Sequence, residues 1–157
     1  MQITPNRTRV FKENENLLKF ILKYVKKISE NSVLVVTSKI VALSQGRTVG
    51  YKNKKQKVAL IKKESDFFIK TKLVWLTIKN GIVMADAGID ESNGDRKLIL
   101  SPEDNFRAAG IIREKLKKHF KIKNLGIIIS DSGLLPLRNG VIGIAFGYAG
   151  FKAVKSY

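Results

Sequence analysis

The sequence of 157 residues predicts one α/β domain, and three observations carry that prediction. Segments with helical spacing of apolar residues alternate with short β-branched runs, which is typical of mixed α/β proteins. The hydrophobic fraction of 44% is enough to bury a core. No repeat, linker or low-complexity tract divides the chain, so we predict a single domain over residues 1–157.

The first elements alternate between helix and strand. Apolar residues recur at helical spacing over residues 14–29 while lysines occupy the other face, and Asn14 or Asn16 is a suitable cap. The β-branched run over residues 32–38 predicts a buried strand that leads into a polar turn. A weaker helix is predicted within residues 57–70.

A β-hairpin is predicted in the middle of the chain. Two strand-like runs, residues 72–78 and 82–85, are joined through Asn80 and Gly81, and Asn-Gly is a strong hairpin signal. The acidic stretch at residues 86–93 therefore follows directly after a strand.

The last third of the chain begins with a helix. Ser101 is a suitable cap, Pro102 suits the first helical position, and an acidic residue stands three positions after the cap, so the helix is expected to run to about residue 118. Its expected buried residues are Phe106, Ala109, Ile112 and Leu116. A buried strand over residues 125–130, a loop over 131–140 and a glycine-bearing apolar run over 141–150 follow.

Composition excludes several classes of site. The absence of Cys and the presence of a single His rule out disulfide scaffolds, zinc-thiolate and iron–sulfur sites and two-His zinc motifs, so any metal must be bound by oxygen. No apolar run has the length of a membrane span and no signal peptide is recognisable, which predicts a cytoplasmic protein.

The net charge of +17 makes nucleic acid a partner to consider. The cations are mostly Lys, however, and the basic runs at residues 52–63 and 113–123 contain few aromatic residues, so we interpret them as solvated surface.

Polar clusters follow three of the predicted strands, at residues 37–39, 90–93 and 131–132. Asp90 and Asp131, with the Ser132 hydroxyl, have the oxygen chemistry that Mg²⁺ or Mn²⁺ prefers, and Lys39 can then contact a phosphate. The alternative is that these are ordinary turn residues that bond to their own backbone. Neither a P-loop nor a GxGxxG motif is present.

The clusters also stand in four ordered blocks: VLVVTSKIVALSQGR at residues 33–47, AGIDESN at 87–93, ILSPEDNFRAAGIIREKL at 99–116 and IIISDSGLLPLRNGVIGIAFGYAGF at 127–151. In this order they resemble the coenzyme F-420:L-glutamate ligase family, the gamma-glutamyl ligases that extend the glutamate tail of a deazaflavin cofactor. The resemblance spans most of the chain.

The resemblance implies a GTP-dependent ligase in which GTP phosphorylates a carboxylate of the F-420 precursor type and the amine of L-glutamate displaces the phosphate to form an amide. It implies a homodimer of mixed α/β subunits, small-molecule substrates and Mg²⁺ or Mn²⁺ as the metal. It assigns Asp90, Asp131 and Ser132 to the metal and Ser38, Lys39 and Asn93 to GTP, with no catalytic residue beyond these.

The sequence also departs from the family pattern. Leu43 stands where the pattern often has a second lysine after the Ser-Lys pair, and Ser132 stands where many members have threonine. The pattern continues past Tyr157, so we expect a chain that is C-terminally incomplete relative to the family. Three alternatives follow: a ligase with another carboxylate acceptor, a degenerate non-catalytic homologue that binds nucleic acid or another polyanion, and a fragment that needs a partner chain.

Overall fold

The computed structural model describes residues 2–91, 97–133, 135 and 137–155, and it confirms the α/β class. Within these residues there are four α-helices and eight strands. The helices are α1 (Leu17–Tyr24), α2 (Ser38–Ser44), α3 (Lys54–Glu64) and α4 (Asn105–Phe120). The strands are β1 (Ser32–Thr37), β2 (Thr48–Gly50), β3 (Phe67–Lys70), β4 (Trp75–Lys79), β5 (Ile82–Ala85), β6 (Lys97–Ile99), β7 (Leu125–Gly133) and β8 (Ile142–Ala149).

The central sheet has the order β1-β7-β8 and supports the main core. β1 runs parallel to β7, and β8 runs antiparallel to β7 with a register shift between Ile129 and Ser130. Helix α4 packs against β7 and β8, and α1 contributes Ile21 to the same apolar cluster. The buried residues of this cluster are Ile21, Val36, Val41, Ala109, Ile112, Leu116, Leu125, Ile127 and Ile129.

The predicted hairpin is confirmed as β4 and β5. Asn80 and Gly81 both have positive φ, 50° and 74°, which is the conformation that a type I′ hairpin turn requires. A third strand, β3, pairs with β4 and was not predicted. The helix expected within residues 57–70 is α3, which begins and ends earlier than expected and leaves the last four residues of that range to β3.

Strands β2 and β6 form a separate antiparallel ladder that continues into an isolated bridge between Asp90 and Ile99. Beneath this ladder lies a second apolar cluster, with Ile61 of α3 packed among Ala87, Ile89, Leu98 and Leu100. Asp90 is therefore held by Ile89, the residue before it, which is buried in this cluster, and by its bridge to Ile99.

Two predicted helix boundaries are wrong. The predicted cap at Asn16 is confirmed by its bond to the Lys19 amide, but helix α1 covers only half of residues 14–29, because the backbone becomes extended at Val25. Helix α4 begins at Asn105 with Asp104 as its cap, since the Ser101 hydroxyl donates to the Ala87 carbonyl instead.

One expected core residue and two expected turns also differ. Phe106 is 56% exposed, whereas Ala109, Ile112 and Leu116 are buried as predicted. The polar turn after β1 is the start of α2, and the loop expected from residue 131 onward begins later because β7 continues through Gly133. Within the described ranges, no helix has the length and apolar character needed to cross a membrane.

Candidate active-site cleft

Parallel pairing of β1 with β7 brings two of the predicted clusters together. Thr37 lies opposite Ser130, so the residues that follow, Ser38 and Asp131, are neighbours although 93 positions separate them. The buried Ser38 hydroxyl donates a hydrogen bond to Asp131 Oδ2. The other oxygen, Oδ1, accepts from the Ser132 amide at 2.7 Å. Asp131 therefore makes the local backbone bond of a turn residue and also the long-range contact of a site residue.

The third cluster reaches the same place through an ion pair. Lys39, the second residue of α2, forms a salt bridge through Nζ to Asp90 Oδ2, and about one third of each side chain is exposed. Both residues belong to the wall of a cleft that Ser38, Asp131 and Ser132 also line. The fold thus unites the three clusters that follow apolar strands.

The Asp90 backbone is fixed by hydrogen bonds in both directions with Ile99. Asp90 N donates to Ile99 O at 2.8 Å, and Ile99 N donates to Asp90 O at 2.9 Å. This bridge sets the direction in which the Asp90 carboxylate leaves the chain. Because Ile99 belongs to the buried core, the position of the carboxylate is coupled to the packing beneath it.

A left-handed turn precedes Asp90. Asp86, Ala87 and Gly88 have consecutive φ values of 50°, 56° and 70°, and Ile89 N donates to Asp86 O at 3.0 Å to close the turn. For residues with a Cβ, this conformation costs roughly 1–2 kcal/mol each. Two of the three residues are not glycine, so surrounding contacts must offset the strain.

Buried hydrogen bonds provide those contacts. The Thr77 hydroxyl accepts from Ala87 N at 2.9 Å and donates to Met84 O at 2.8 Å. Ser101 Oγ donates to Ala87 O at 3.1 Å, so both backbone groups of this fully buried residue are paired. A Cβ on Gly88 would lie 2.5 Å from Ser101 Oγ, which explains why the third position is glycine.

The cleft has a volume of about 470 Å³, within the usual range for small-molecule sites. Its described lining combines a hydrophobic floor, formed in part by Met84 and Phe146, with charged walls. The charged residues of that lining are Lys39, Lys57, Asp90, Glu91 and Asp131. Two lysines and three carboxylates leave one excess negative charge in a chain whose net charge is +17.

Lys57 of α3 lines the cleft and forms a second ion pair there. Its Nζ lies 2.6 Å from Glu91 Oε2 and 3.8 Å from Asp86 Oδ2, and Tyr51 donates its hydroxyl hydrogen to Glu91 Oε1. The hydrogen bonds from Lys57 and Tyr51 lower the pKa of Glu91. Burial acts to lower the pKa of Lys57, but the carboxylates outweigh it and raise that pKa overall. Glu91 and Lys57 therefore both carry charge near neutral pH.

Of the predicted site residues, Ser38, Lys39, Asp90, Asp131 and Ser132 line the one cleft. Asn93 lies outside the described residues, so its predicted contact with GTP stays a prediction.

The structure explains why Leu43 stands where the family pattern often has lysine. The Leu43 side chain is buried in an apolar cluster with Phe20 on α1 and Phe11 in the segment before α1. A charged group would be unfavourable in that cluster.

The sequence reasoning missed Lys57 as part of the cleft and Tyr51 as the donor to Glu91, which belongs to the predicted cluster at residues 90–93. Lys57 belongs to the run over residues 52–63 that was interpreted as solvated surface, and that interpretation is wrong for this one lysine. The position of Lys57 could have been inferred from Ile61. Ile61 is a core residue, and Lys57 lies one helical turn earlier on the same side of α3, the side that faces the protein.

The donor set fits a hard divalent cation that is shared with a ligand. Among the described residues, no three Asp, Glu or His side chains are grouped for a metal, so the protein does not offer a complete carboxylate cage there. Asp90 and Asp131 offer two carboxylates beside the Ser38 and Ser132 hydroxyls. Mg²⁺ is commonly held by one or two carboxylates together with substrate phosphates and water, and this set suits that arrangement.

Comparison with known proteins confirms the family that the four ordered sequence blocks resemble. The family model described as F420-0:Gamma-glutamyl ligase matches residues 6–157. Curated relatives named Coenzyme F420:L-glutamate ligase are similar to this chain. The protein from Archaeoglobus fulgidus is 28% identical over 166 residues, covering 94% of this chain and 66% of the relative.

Two further relatives carry the same name. The Methanosarcina mazei protein is 26% identical over 162 residues, covering 92% of this chain and 63% of its own length. The Methanocaldococcus jannaschii protein is 40% identical over 76 residues, covering 48% of this chain and 30% of the relative. The chain thus spans less than two thirds of the length of these relatives.

Proposed function

Because the chain belongs to the F420-0:gamma-glutamyl ligase family, we propose that it takes part in forming an amide between L-glutamate and a carboxylate acceptor of the coenzyme F-420 precursor type, with GTP and Mg²⁺ or Mn²⁺. The observation that carries the proposal is the meeting of Asp90, Asp131, Lys39 and Ser38 in one cleft at the carboxyl ends of two parallel strands. That position is a common one for ligand sites in α/β proteins.

The charge balance of the cleft supports a ligand that arrives with a divalent cation. A bare nucleotide triphosphate would meet an excess of one negative charge among the described lining residues. A divalent cation reverses that sign and allows Lys39 to contact a phosphate oxygen. The carboxylates that would bind the cation are therefore also the reason why we expect GTP binding to require it.

In the proposed reaction, an oxygen of the acceptor carboxylate attacks the γ-phosphorus of GTP, and GDP leaves. The amine of L-glutamate then attacks the acyl carbon, inorganic phosphate leaves, and the nitrogen loses a proton. A bound Mg²⁺ or Mn²⁺ supplies charge neutralisation at the phosphates. Positioning and electrostatics dominate such transfers, so no nucleophilic side chain is required.

Each side chain has a role that its contacts support. Asp90 and Asp131 would hold the cation, and the Ser38 hydroxyl keeps the Asp131 carboxylate oriented through its hydrogen bond. Lys39 neutralises Asp90 in the structure and would turn to a phosphate oxygen when Asp90 binds the cation. The apolar floor lowers the polarity of part of the cleft, which strengthens these charge interactions.

The proposal is tested by calorimetric titration of GTP into the chain with and without Mn²⁺. We expect binding only with the metal, and a loss of more than about tenfold in affinity for Asp90→Asn and for Asp131→Asn. The matched control is Glu114→Gln, which removes an exposed carboxylate on α4, where it does not line the cleft. Circular dichroism checks that each variant is folded.

Binding that needs no metal, or that Asp90→Asn leaves unchanged, would contradict the proposal. An affinity that falls steeply with salt and ignores Asp90 would instead favour the polyanion-binding alternative. Homodimer formation is proposed from the family alone, and its test is the molecular mass in solution by light scattering.

A further inference from the structure

One lysine of α3 differs from the others on that helix in its surroundings. The side chain of Lys57 is only 21% exposed and lines the cleft. The neighbouring lysines of the run are exposed, namely Lys52, Lys54, Lys55, Lys62 and Lys63. Partly burying a lysine and holding it in one geometry costs solvation and side-chain entropy. A lysine on a solvated surface does not incur this loss of solvation and entropy, so the partial burial of Lys57 indicates a further role for its side chain.

The ammonium of Lys57 is held in place by acidic partners. Glu91 Oε2 accepts from Nζ at 2.6 Å, whereas Asp86 Oδ2, at 3.8 Å, lies beyond hydrogen-bond range. Tyr51 donates to the other oxygen of Glu91 and so fixes that carboxylate. An ammonium has three N–H donors, and within the described part of the chain only the bond to Glu91 uses one. Lys57 thus has donors to offer a ligand.

The arrangement places a cation on each side of one short segment. Asp90 and Glu91 are consecutive, and Asp90 lies in an extended bridge, where successive side chains diverge. Asp90 pairs with Lys39 from α2, and Glu91 pairs with Lys57 from α3. Two lysines from two different helices therefore line one cleft, and each is held in position by an ion pair with one carboxylate.

We infer that Lys57 is a second oxyanion-binding residue of the cleft, with Glu91 and Tyr51 as its positioning residues. The ammonium would donate to a phosphate oxygen of the nucleotide or to a carboxylate oxygen of the amino-acid substrate, since both groups accept strong charge-assisted hydrogen bonds. This inference rests on the proposed function, because that function supplies the anionic ligands.

The test compares three variants of the full chain. Lys57→Met removes the charge but keeps the aliphatic stem, Lys57→Arg restores a cation, and Lys55→Met makes the same charge change at an exposed position of the same helix. GTP is titrated with Mn²⁺ in one arm. In the other arm, L-glutamate is titrated into the chain loaded with Mn²⁺ and a non-hydrolysable GTP analogue.

We expect Lys57→Met to weaken one of the two ligands by roughly tenfold to a hundredfold, Lys57→Arg to recover part of the loss, and Lys55→Met to stay within about twofold. Loss in the GTP arm assigns Lys57 to a phosphate, and loss in the L-glutamate arm assigns it to a carboxylate. Equal affinities for Lys57→Met and Lys55→Met in both arms overturn the inference while the proposed function stands. Failure of the unmodified chain to bind GTP with Mn²⁺ overturns both.

Discussion

Replacement of Thr77 by valine probes the support of the left-handed turn before Asp90. Valine has nearly the shape of threonine but replaces the hydroxyl with a methyl group. In the fully buried environment of Thr77, the change removes the acceptor of the Ala87 amide, at 2.9 Å, and the donor to the Met84 carbonyl, at 2.8 Å. The strained turn then loses one of its two anchors at Ala87.

The expected cost follows from these two bonds. A buried polar group left without a partner costs about 1–3 kcal/mol, and Thr77→Val leaves the Ala87 amide in that state, whereas the Met84 carbonyl keeps its ladder partner Thr77 in the pairing of β4 with β5, so we expect a loss of about 1–3 kcal/mol in the free energy of unfolding. A domain of this size has a total stability of about 5–15 kcal/mol, so the loss is measurable. The control is Thr77→Ser, which keeps the hydroxyl and loses one methyl group, worth about 1 kcal/mol.

Urea denaturation followed by circular dichroism measures both variants, and hydrogen exchange of the Ala87 amide reports the turn directly. We expect Thr77→Val to be the less stable variant and its Ala87 amide to exchange faster than in Thr77→Ser. Equal stability of the two variants, or an Ala87 amide that stays equally protected, would refute the argument that Thr77 holds the turn.

Four further substitutions test other parts of the structure. Asp104→Ala removes the cap that accepts from the Arg107 amide at 2.9 Å and should cost about 1 kcal/mol in chemical denaturation, whereas Ser101→Ala should leave the helix content of α4 unchanged. Gly147→Ala places a Cβ 2.5 Å from backbone of Asn105, so β8 and α4 must separate, and we expect a fall of several degrees in the thermal midpoint; an unchanged midpoint would contradict that packing. Partial burial acts to raise the pKa of Glu64, but its ion pairs with Lys79 and Arg47 outweigh this and lower that pKa, so its stabilisation is present at neutral pH and is lost as pH falls. Glu64→Gln should therefore be less stable at pH 7 by about 1 kcal/mol and should approach the unmodified chain as pH falls through the lowered pKa of Glu64, as measured by urea denaturation across pH; a difference that stays constant would contradict the assignment.

Local interactions explain which elements could be predicted from the sequence. The hairpin follows from Asn80 and Gly81, because the backbone conformation of a two-residue turn depends on those residues alone. Strand β1 follows from its β-branched run, although Val33 and Val35 are more than half exposed where a buried strand was predicted, and the buried Ala109, Ile112 and Leu116 of α4 follow from apolar spacing. The resemblance of the four blocks to a ligase family was confirmed by the family model over residues 6–157.

Contacts between distant segments explain what the sequence left undecided. Ser101 has the features of a helix cap, but its hydroxyl is bonded to Ala87, so the cap passes to Asp104. The strand β3 forms because its residues pair with β4. No local rule predicts the change of cap, since Ala87 lies outside the window in which capping acts, whereas β3 pairs with β4 in a local hairpin, at Lys70 and Trp75, and was missed.

The same distinction holds for the site. The sequence by itself determined the oxygen chemistry of the candidate residues and their positions after apolar runs. Only the tertiary structure decided that Ser38 and Asp131 touch, because the parallel register of β1 and β7 sets that contact across 93 positions. It also separated Lys57 from a run of similar lysines, because the helix packs through Ile61 and, of the described run at residues 52–63, Lys57 is the lysine that lines the cleft and forms an ion pair with Glu91.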